Sequence, residues 1–182
     1  MPSSSSEKFS FSTEHKQALK EITIEESGPG SILRDFNTLL EFLGERGVPV
    51  TTTHQLPIRV LPEINARLTN PLRQGLKRPQ QKSYPHINGL YLLLRASGMT
   101  FVGGTSKKPL LFVDKEVVQS WHGLNPTEQY FTLLETWLLR GKPEIIGESG
   151  RRFFLLENVE KCTDFFRRIP KKGRTIAGNK DA

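Results

Sequence analysis

The sequence is poor in the features that mark secreted and membrane proteins. It contains a single cysteine, Cys162, so no disulfide can form within the chain. Its longest apolar cluster, Leu90 to Leu94, is far shorter than the roughly 20 residues that span a membrane. The first residues lack the apolar run behind a basic start that marks a secretory signal. These absences predict a cytoplasmic protein without a transmembrane segment.

Residues that could carry enzyme chemistry are sparse. No two of the four histidines show metal-ligand spacing, and there is no Gly-x-Ser-x-Gly turn. The glycines at Gly28 to Gly30 and Gly103 to Gly104 lack the following lysine and hydroxyl residue of a phosphate-binding loop. Cys162 belongs to no motif. We therefore predict a non-enzymatic protein with no catalytic residue, no cofactor and no metal.

Acidic residues are absent from the middle of the chain. Residues 64 to 113 hold eight basic and no acidic side chains, and residues 165 to 182 hold six basic and one acidic. The two remaining stretches are each net negative, so the overall charge of +7 is confined to the centre and the tail. Such a concentration favours a polyanionic or acidic partner.

In the first half, apolar residues recur at helical spacing. Ile32 to Leu43 predicts an amphipathic helix with Ser31 as its N-cap and an end near Gly47. Residues 48 to 53 are β-prone, and a second helical pattern follows from Ile58 to Leu68, with Pro62 in its first turn.

In the second half, the pattern predicts a helix, a hairpin and further helices. A helix from His86 to Ser97 precedes two β-prone runs, Met99 to Val102 and Leu110 to Val113, joined by a glycine-rich basic tip. Asp114 is suited to cap one further helix, and the sequence from Asn125 to Glu128 is typical of the start of another. We expect Leu94, Leu133 and Trp137 to be buried together.

These elements predict a mainly α protein with short β-hairpins, an α+β fold built from tandem winged-helix-like units. The expected divisions are a flexible N-terminal segment with a possible short helix (1–30), a first unit (31–70), a basic loop (71–85), a second unit that ends in a strand and a helix (86–169), and a basic disordered tail (170–182).

Three short stretches carry a family resemblance: Leu39 to Phe42, Leu92 to Gly98, and Pro126 to Trp137. Through them, the region from Leu33 to Leu139 resembles the amino-terminal part of the plasmid open-reading-frame-three-like proteins, an uncharacterised bacterial group linked to mobile elements. The resemblance implies a bacterial origin and a winged-helix-like fold. It supplies no catalytic residues, because the group has no settled activity. We expect this chain to lack the larger α+β domain of typical members, so any function located there is not carried over.

The central charge predicts a nucleic-acid-binding accessory protein. In a winged helix, one helix can enter the major groove of DNA while the hairpin tip contacts phosphate. The partner is then DNA or RNA. Two alternatives remain open: an interaction module that binds an acidic protein in a mobile-element or defence-related complex, and a solvated loop with no partner. The sequence leaves the oligomeric state undetermined. The residues expected to contact nucleic acid are Arg73, Lys77, Arg78, Lys82, Lys107, Lys108, Lys171, Lys172 and Arg174.

Overall fold

Over the residues that the structure describes, the chain forms α-helices and one small antiparallel sheet, so the fold is mixed α+β. A computed structural model describes residues 30–44, 47–73 and 75–148, together with Thr13, Gln17, Glu21, Ile24, Glu25 and Gly28. The helices are α1 (Ile32–Leu43), α2 (Leu61–Arg67), α3 (Pro85–Ala96), α4 (Lys115–His122) and α5 (Pro126–Glu135). The strands are β1 (Val48–Pro49), β2 (Thr100–Thr105) and β3 (Lys108–Val113). Single 3-10 turns occur at Ile58–Val60, Gln81–Ser83 and Pro143–Ile146, and a π-helical turn, Thr136–Arg140, extends α5.

Helix α1 lies at the centre of the core. Its apolar residues recur at helical spacing and therefore lie on one side of the helix, which is buried, as the sequence predicts. Ser31 precedes the helix, but its hydroxyl bonds to Asp35 Oδ2 at 2.7 Å and caps no backbone amide. The helix ends at Gly44, which has a φ of 56°, rather than near Gly47. The buried side chains of α1 are Leu33, Phe36, Leu39, Leu40 and Leu43.

The predicted hairpin is confirmed. Strands β2 and β3 pair antiparallel from Thr100 opposite Val113 to Thr105 opposite Lys108. The connection is shorter than expected, because Gly104 lies within β2 rather than in the tip. Its φ is 84°, and a Cβ atom there would lie 2.7 Å from the Lys108 carbonyl oxygen, so only glycine fits this close approach.

Strand β1 joins the two halves of the chain. Val48 pairs with Leu111, 63 positions further along, and the strand order is β1-β3-β2. A single cluster of buried side chains also includes residues from both halves. The predicted tandem winged-helix-like units are therefore not confirmed, because the first half contributes a strand to the sheet of the second.

The N-caps of α4 and α5 are those that the sequence predicts. Asp114 Oδ1 accepts hydrogen bonds from the amides of Glu116 and Val117 at 3.1 and 3.2 Å. Asn125 Oδ1 accepts from the Glu128 amide at 3.0 Å, and Glu128 Oε2 accepts from the Asn125 amide at 2.9 Å. This reciprocal pair satisfies two backbone donors at the start of α5.

Replacing the cap of α5 should weaken the fold measurably. We expect Asn125→Ala to lower the free energy of unfolding by about 1 kcal/mol, because the Glu128 amide loses its acceptor. Asn125→Gly is the control and should cost only a few tenths of a kcal/mol, since water can reach the open amide. Urea denaturation of both variants measures the difference. Equal losses would show that the side-chain cap does not stabilise the helix.

The expected burial of Trp137 is wrong. Leu94 and Leu133 are buried, but Trp137 is 43% exposed. The buried residues of this helix and its extension are Gln129, Leu133 and Thr136, whereas Trp137 lies outside the buried side. Gln129 Nε2 donates to the Trp121 carbonyl at 3.1 Å, which satisfies a polar side chain within the core. Apolar spacing alone predicts that Trp137 faces the core. Because the Gln129 side chain is hydrogen-bonded there, Gln129 can occupy the buried side instead.

Several predictions concern residues outside the described part of the chain. They are the serine-rich start, the strand and helix expected between 152 and 169, Cys162, and the tail with Lys171, Lys172 and Arg174. Within the possible N-terminal helix, Thr13, Gln17 and Glu21 are described and have helical backbone. Over the residues that the structure describes, no helix has the length and apolar character needed to cross a membrane.

Candidate nucleic-acid interface

The start of the basic loop is fixed by two polar side chains. Asp35 Oδ1 accepts hydrogen bonds from the Thr69 amide and hydroxyl, both at 2.8 Å. The Asn65 carboxamide donates to the Leu72 carbonyl and accepts from the Leu72 amide, both at 2.9 Å. The backbone therefore leaves α2 along a defined path.

The end of the loop is fixed by Gln81, which is only 1% exposed. Its Oε1 accepts from the Leu56 amide at 2.8 Å, and its Nε2 donates to Asn88 Oδ1 at 2.7 Å. Asn88 Nδ2 in turn donates to Glu148 Oε1 at 3.0 Å. Because both polar side-chain atoms of Gln81 have a partner, its burial holds the loop against α3 without an unsatisfied side-chain group.

Between these anchors the loop carries its cations outward. Arg73, Lys77 and Arg78 lie in irregular backbone, and Lys82 lies in the 3-10 turn before α3. All four side chains are exposed. The structure thus places the four predicted loop residues on one anchored segment with their charges in solvent.

The two remaining described candidates lie on the hairpin. Lys107 is in the turn, and Lys108 is the first residue of β3. Both are exposed. Among the described residues, no salt bridge involves any of the six candidate cations. Their charge is therefore available to a partner.

The other two cations of the central stretch have different surroundings. Arg67 forms a salt bridge with Glu63 at 2.6 Å, and its guanidinium lies 5.1 Å from the centre of the Phe42 ring. Arg95 is half-buried on α3, where its Nε and Nη1 atoms are buried and have no hydrogen-bond partner among the described residues. Neither extends the exposed basic surface.

His86 does not add to the positive charge at neutral pH. Burial lowers the pKa of His86 from its usual 6.5, and nearby Asp35 opposes that shift. Its Nε2 lies 3.0 Å from Asn65 Oδ1. A carboxamide oxygen only accepts, so Nε2 is the donor and the ring supports the residue that fixes the loop.

Helix α3 is largely covered by the rest of the protein. Every residue from Leu90 to Ala96 is buried or half-buried, and only Pro85 and Gly89 are exposed along the helix. The buried Tyr91 hydroxyl donates to the His54 carbonyl, and burial raises the pKa of Tyr91 to about 12. The surface of α3 that remains exposed is therefore small.

An apolar cleft of about 420 Å³ lies between α1, α3 and α5. Trp137 lines this cleft and is 43% exposed. The cleft has few polar atoms, so it is suited to an apolar group rather than to a nucleotide. The residues that line it are Ile32, Gly89, Leu92, Leu93, Tyr130, Leu133, Leu134 and Trp137.

One feature of the surface escaped the sequence reasoning. Phe101 of β2 is 51% exposed and stacks on Phe112 of β3, with ring centres 5.6 Å apart and planes at 26°. The alternation of side chains in a strand contains the signal, because Thr100 and Val102 cannot both face the core unless Phe101 faces away from it.

No family model matches the chain, and no match was found among the curated proteins or the solved structures. Within the described residues, no group of three or more histidine, cysteine or acidic side chains is arranged to hold a metal ion.

Proposed function

We propose that this protein is a non-catalytic accessory protein that binds nucleic acid through the phosphate backbone. The observation that carries the proposal is the set of six exposed cations on the anchored loop and the hairpin, none with a salt bridge among the described residues. They belong to a stretch without a single acidic residue. A polyanion is the partner that neutralises such a surface.

The proposed scaffold is one winged-helix-like unit from α1 to β3. The order helix, strand, helix, helix, hairpin, with the first strand beside the last, supports this assignment. A single unit accounts for both halves of the chain and is better supported than the tandem arrangement. The resemblance to the mobile-element-linked plasmid proteins is in keeping with such a unit.

The proposed mode of binding is independent of base sequence. A winged helix reads bases through a helix in the major groove, but α3 packs against α1, the π-helical turn Thr136–Arg140 and the 3-10 turn Pro143–Ile146. Contacts then come from flexible lysine and arginine side chains, which recognise phosphate and carry no sequence information.

Salt titration tests the proposal directly. If about five of the cations contact phosphate, a plot of log affinity for duplex DNA against log salt should have a slope of about −4 to −5, because each contact contributes about −0.9. Duplexes of equal length but different base sequence should bind with the same affinity. Fluorescence anisotropy of a labelled duplex between 50 and 200 mM salt measures both quantities. Absence of binding to both duplex and single-stranded DNA at the lowest salt would overturn the proposal.

A second candidate function is a protein interaction module. The specific observation that favours it is the apolar cleft with the half-exposed Trp137 at its edge. Exposed apolar clefts of this kind accept apolar side chains of a partner. If the protein binds neither duplex nor single-stranded nucleic acid at low salt, this function becomes the better account of the molecule.

A further inference from the structure

The outward side of the hairpin combines an aromatic pair with a basic end. Directly opposed residues of an antiparallel pair point to the same side of a sheet. The outer hairpin face therefore consists of three opposed pairs: Phe101 with Phe112, Gly103 with Leu110, and Thr105 with Lys108. The inner side carries Thr100 and Leu111, which are 4% and 1% exposed. The sheet thus covers the core with one side and leaves the phenylalanine pair on the other.

The Phe112 ring packs closely against the backbone of two glycines. A Cβ atom on Gly47 would lie 2.8 Å from Phe112 Cε1, and one on Gly103 would lie 3.1 Å from Phe112 Cε2. Any larger residue at Gly47 would therefore displace the ring. Because Gly103 has no side chain, the Phe112 ring lies close to its backbone on the outer hairpin face.

Phe101 lies on this ring and remains about half exposed, at 51%. An aromatic side chain that already lies on a neighbouring ring has lost much of its rotational freedom. Binding a further flat group on it consequently costs little additional entropy. Purines and pyrimidines are flat groups that stack on exposed aromatic rings whatever their identity.

The charge next to the rings fits the backbone of the same ligand. The hairpin from Thr100 to Val113 contains Lys107 and Lys108 and no acidic residue. At about 3.3 Å per residue, the basic end lies roughly 13 Å along the strand from Phe101, within reach of a neighbouring phosphate. A duplex keeps its bases stacked inside, whereas a single strand presents them to such a ring.

We propose that the outer hairpin face binds single-stranded nucleic acid, with one base stacked on Phe101 and the adjoining phosphates at Lys107 and Lys108. This inference rests on the proposed function and adds the strand state of the ligand. The anchored loop would contact phosphates in either ligand, while the hairpin distinguishes single strands from duplexes.

The test compares Phe101→Ala with the unaltered full chain. Binding of a dT oligonucleotide should weaken about ten-fold, in line with the alanine-substitution cost of one stacked base, while duplex binding stays unchanged. A 2-aminopurine base in a single strand should lose fluorescence on binding to the unaltered protein, and this quenching should disappear in the variant. Phe101→Tyr keeps an aromatic face and should retain both properties.

Phe131→Ala is the matched control, because Phe131 on α5 is similarly exposed, at 42%. It should change neither affinity nor quenching. Phe101→Leu keeps an apolar contact with Phe112 while removing the aromatic face, so it gives the same test if the alanine variant fails to fold. It should behave like the alanine variant.

Three results would overturn the inference in distinguishable ways. If duplex binding depends on salt but neither Phe101→Ala nor Phe101→Leu weakens single-strand binding, Phe101 is not a stacking site. The proposed function then still stands. If the protein binds neither duplex nor single-stranded DNA, both the stacking site and the proposed function are ruled out. If the substitutions alter only the sedimentation of the free protein, the outer hairpin face is a contact between copies of the chain.

Discussion

Reversing the charge of five cations is expected to abolish nucleic-acid binding. The change to glutamate of Arg73, Lys77, Arg78, Lys107 and Lys108 lowers the net charge by 10, from +7 to −3. It converts each phosphate contact into a repulsion, so affinity at 50 mM salt should fall below detection, and the counterion release that drives binding should be lost. Fluorescence anisotropy with duplex and single-stranded DNA measures the effect.

The fold should survive this change. All five side chains are exposed, and none forms a salt bridge among the described residues. Surface charges of this kind contribute little to stability, so the melting temperature should change by only a few degrees.

A smaller pair of variants controls for net charge. Lys107→Glu with Lys108→Glu changes the charge by the same amount as Arg140→Glu with Lys142→Glu, and all four side chains are exposed. We expect only the hairpin pair to weaken binding strongly. Equal losses would mean that total charge matters and that the position of the cations does not.

Replacing Trp121 by alanine is expected to lower the free energy of unfolding by about 3–5 kcal/mol. The side chain is only 1% exposed, and its ring centre lies 5.1 Å from that of Phe36. Its Nε1 donates to Asn37 Oδ1 at 2.9 Å. The variant therefore leaves a cavity beside α1 and removes the partner of a part-buried oxygen. This loss is a large share of the 5–15 kcal/mol that is typical of a whole domain.

The second tryptophan supplies the control. Trp137 is 43% exposed, so Trp137→Ala should lower the free energy of unfolding much less than Trp121→Ala does. Urea denaturation followed by circular dichroism compares the two variants without relying on tryptophan fluorescence. If Trp137→Ala costs as much as Trp121→Ala, the cleft contributes to stability in a way that its exposure does not indicate.

Local sequence signals account for most of the elements. The caps at Asp114 and Asn125 and the hairpin after Gly98 each depend on residues within one or two turns of chain, and these features are present. The pairing of Val48 with Leu111 depends on two segments far apart in sequence, and no local pattern encodes it. For this reason the local patterns predict two units where the structure has one shared sheet.

The candidate site was predictable in charge but not in arrangement. Acid-free composition identifies the loop and hairpin cations without reference to the fold, and exposure of Arg73 and Lys107 follows from their positions in a loop and a turn. The covering of α3 depends on α1 and on the turns Thr136–Arg140 and Pro143–Ile146, while the buried side of α5 includes the polar residue Gln129. A pattern of apolar spacing assigns that side to Trp137 instead, so both the cleft and the loss of a base-reading helix escaped prediction.

The pairing of β1 with β3 also bears on the order of folding. The hairpin can close within microseconds, because its strands adjoin in sequence. Strand β1 must then be brought to Leu111 across 63 positions, and closing so long a loop costs entropy before the new contacts repay it. The basic loop lies inside this span, so it is not a hinge between separately stable pieces. A cut there would leave two fragments that each lack part of one core.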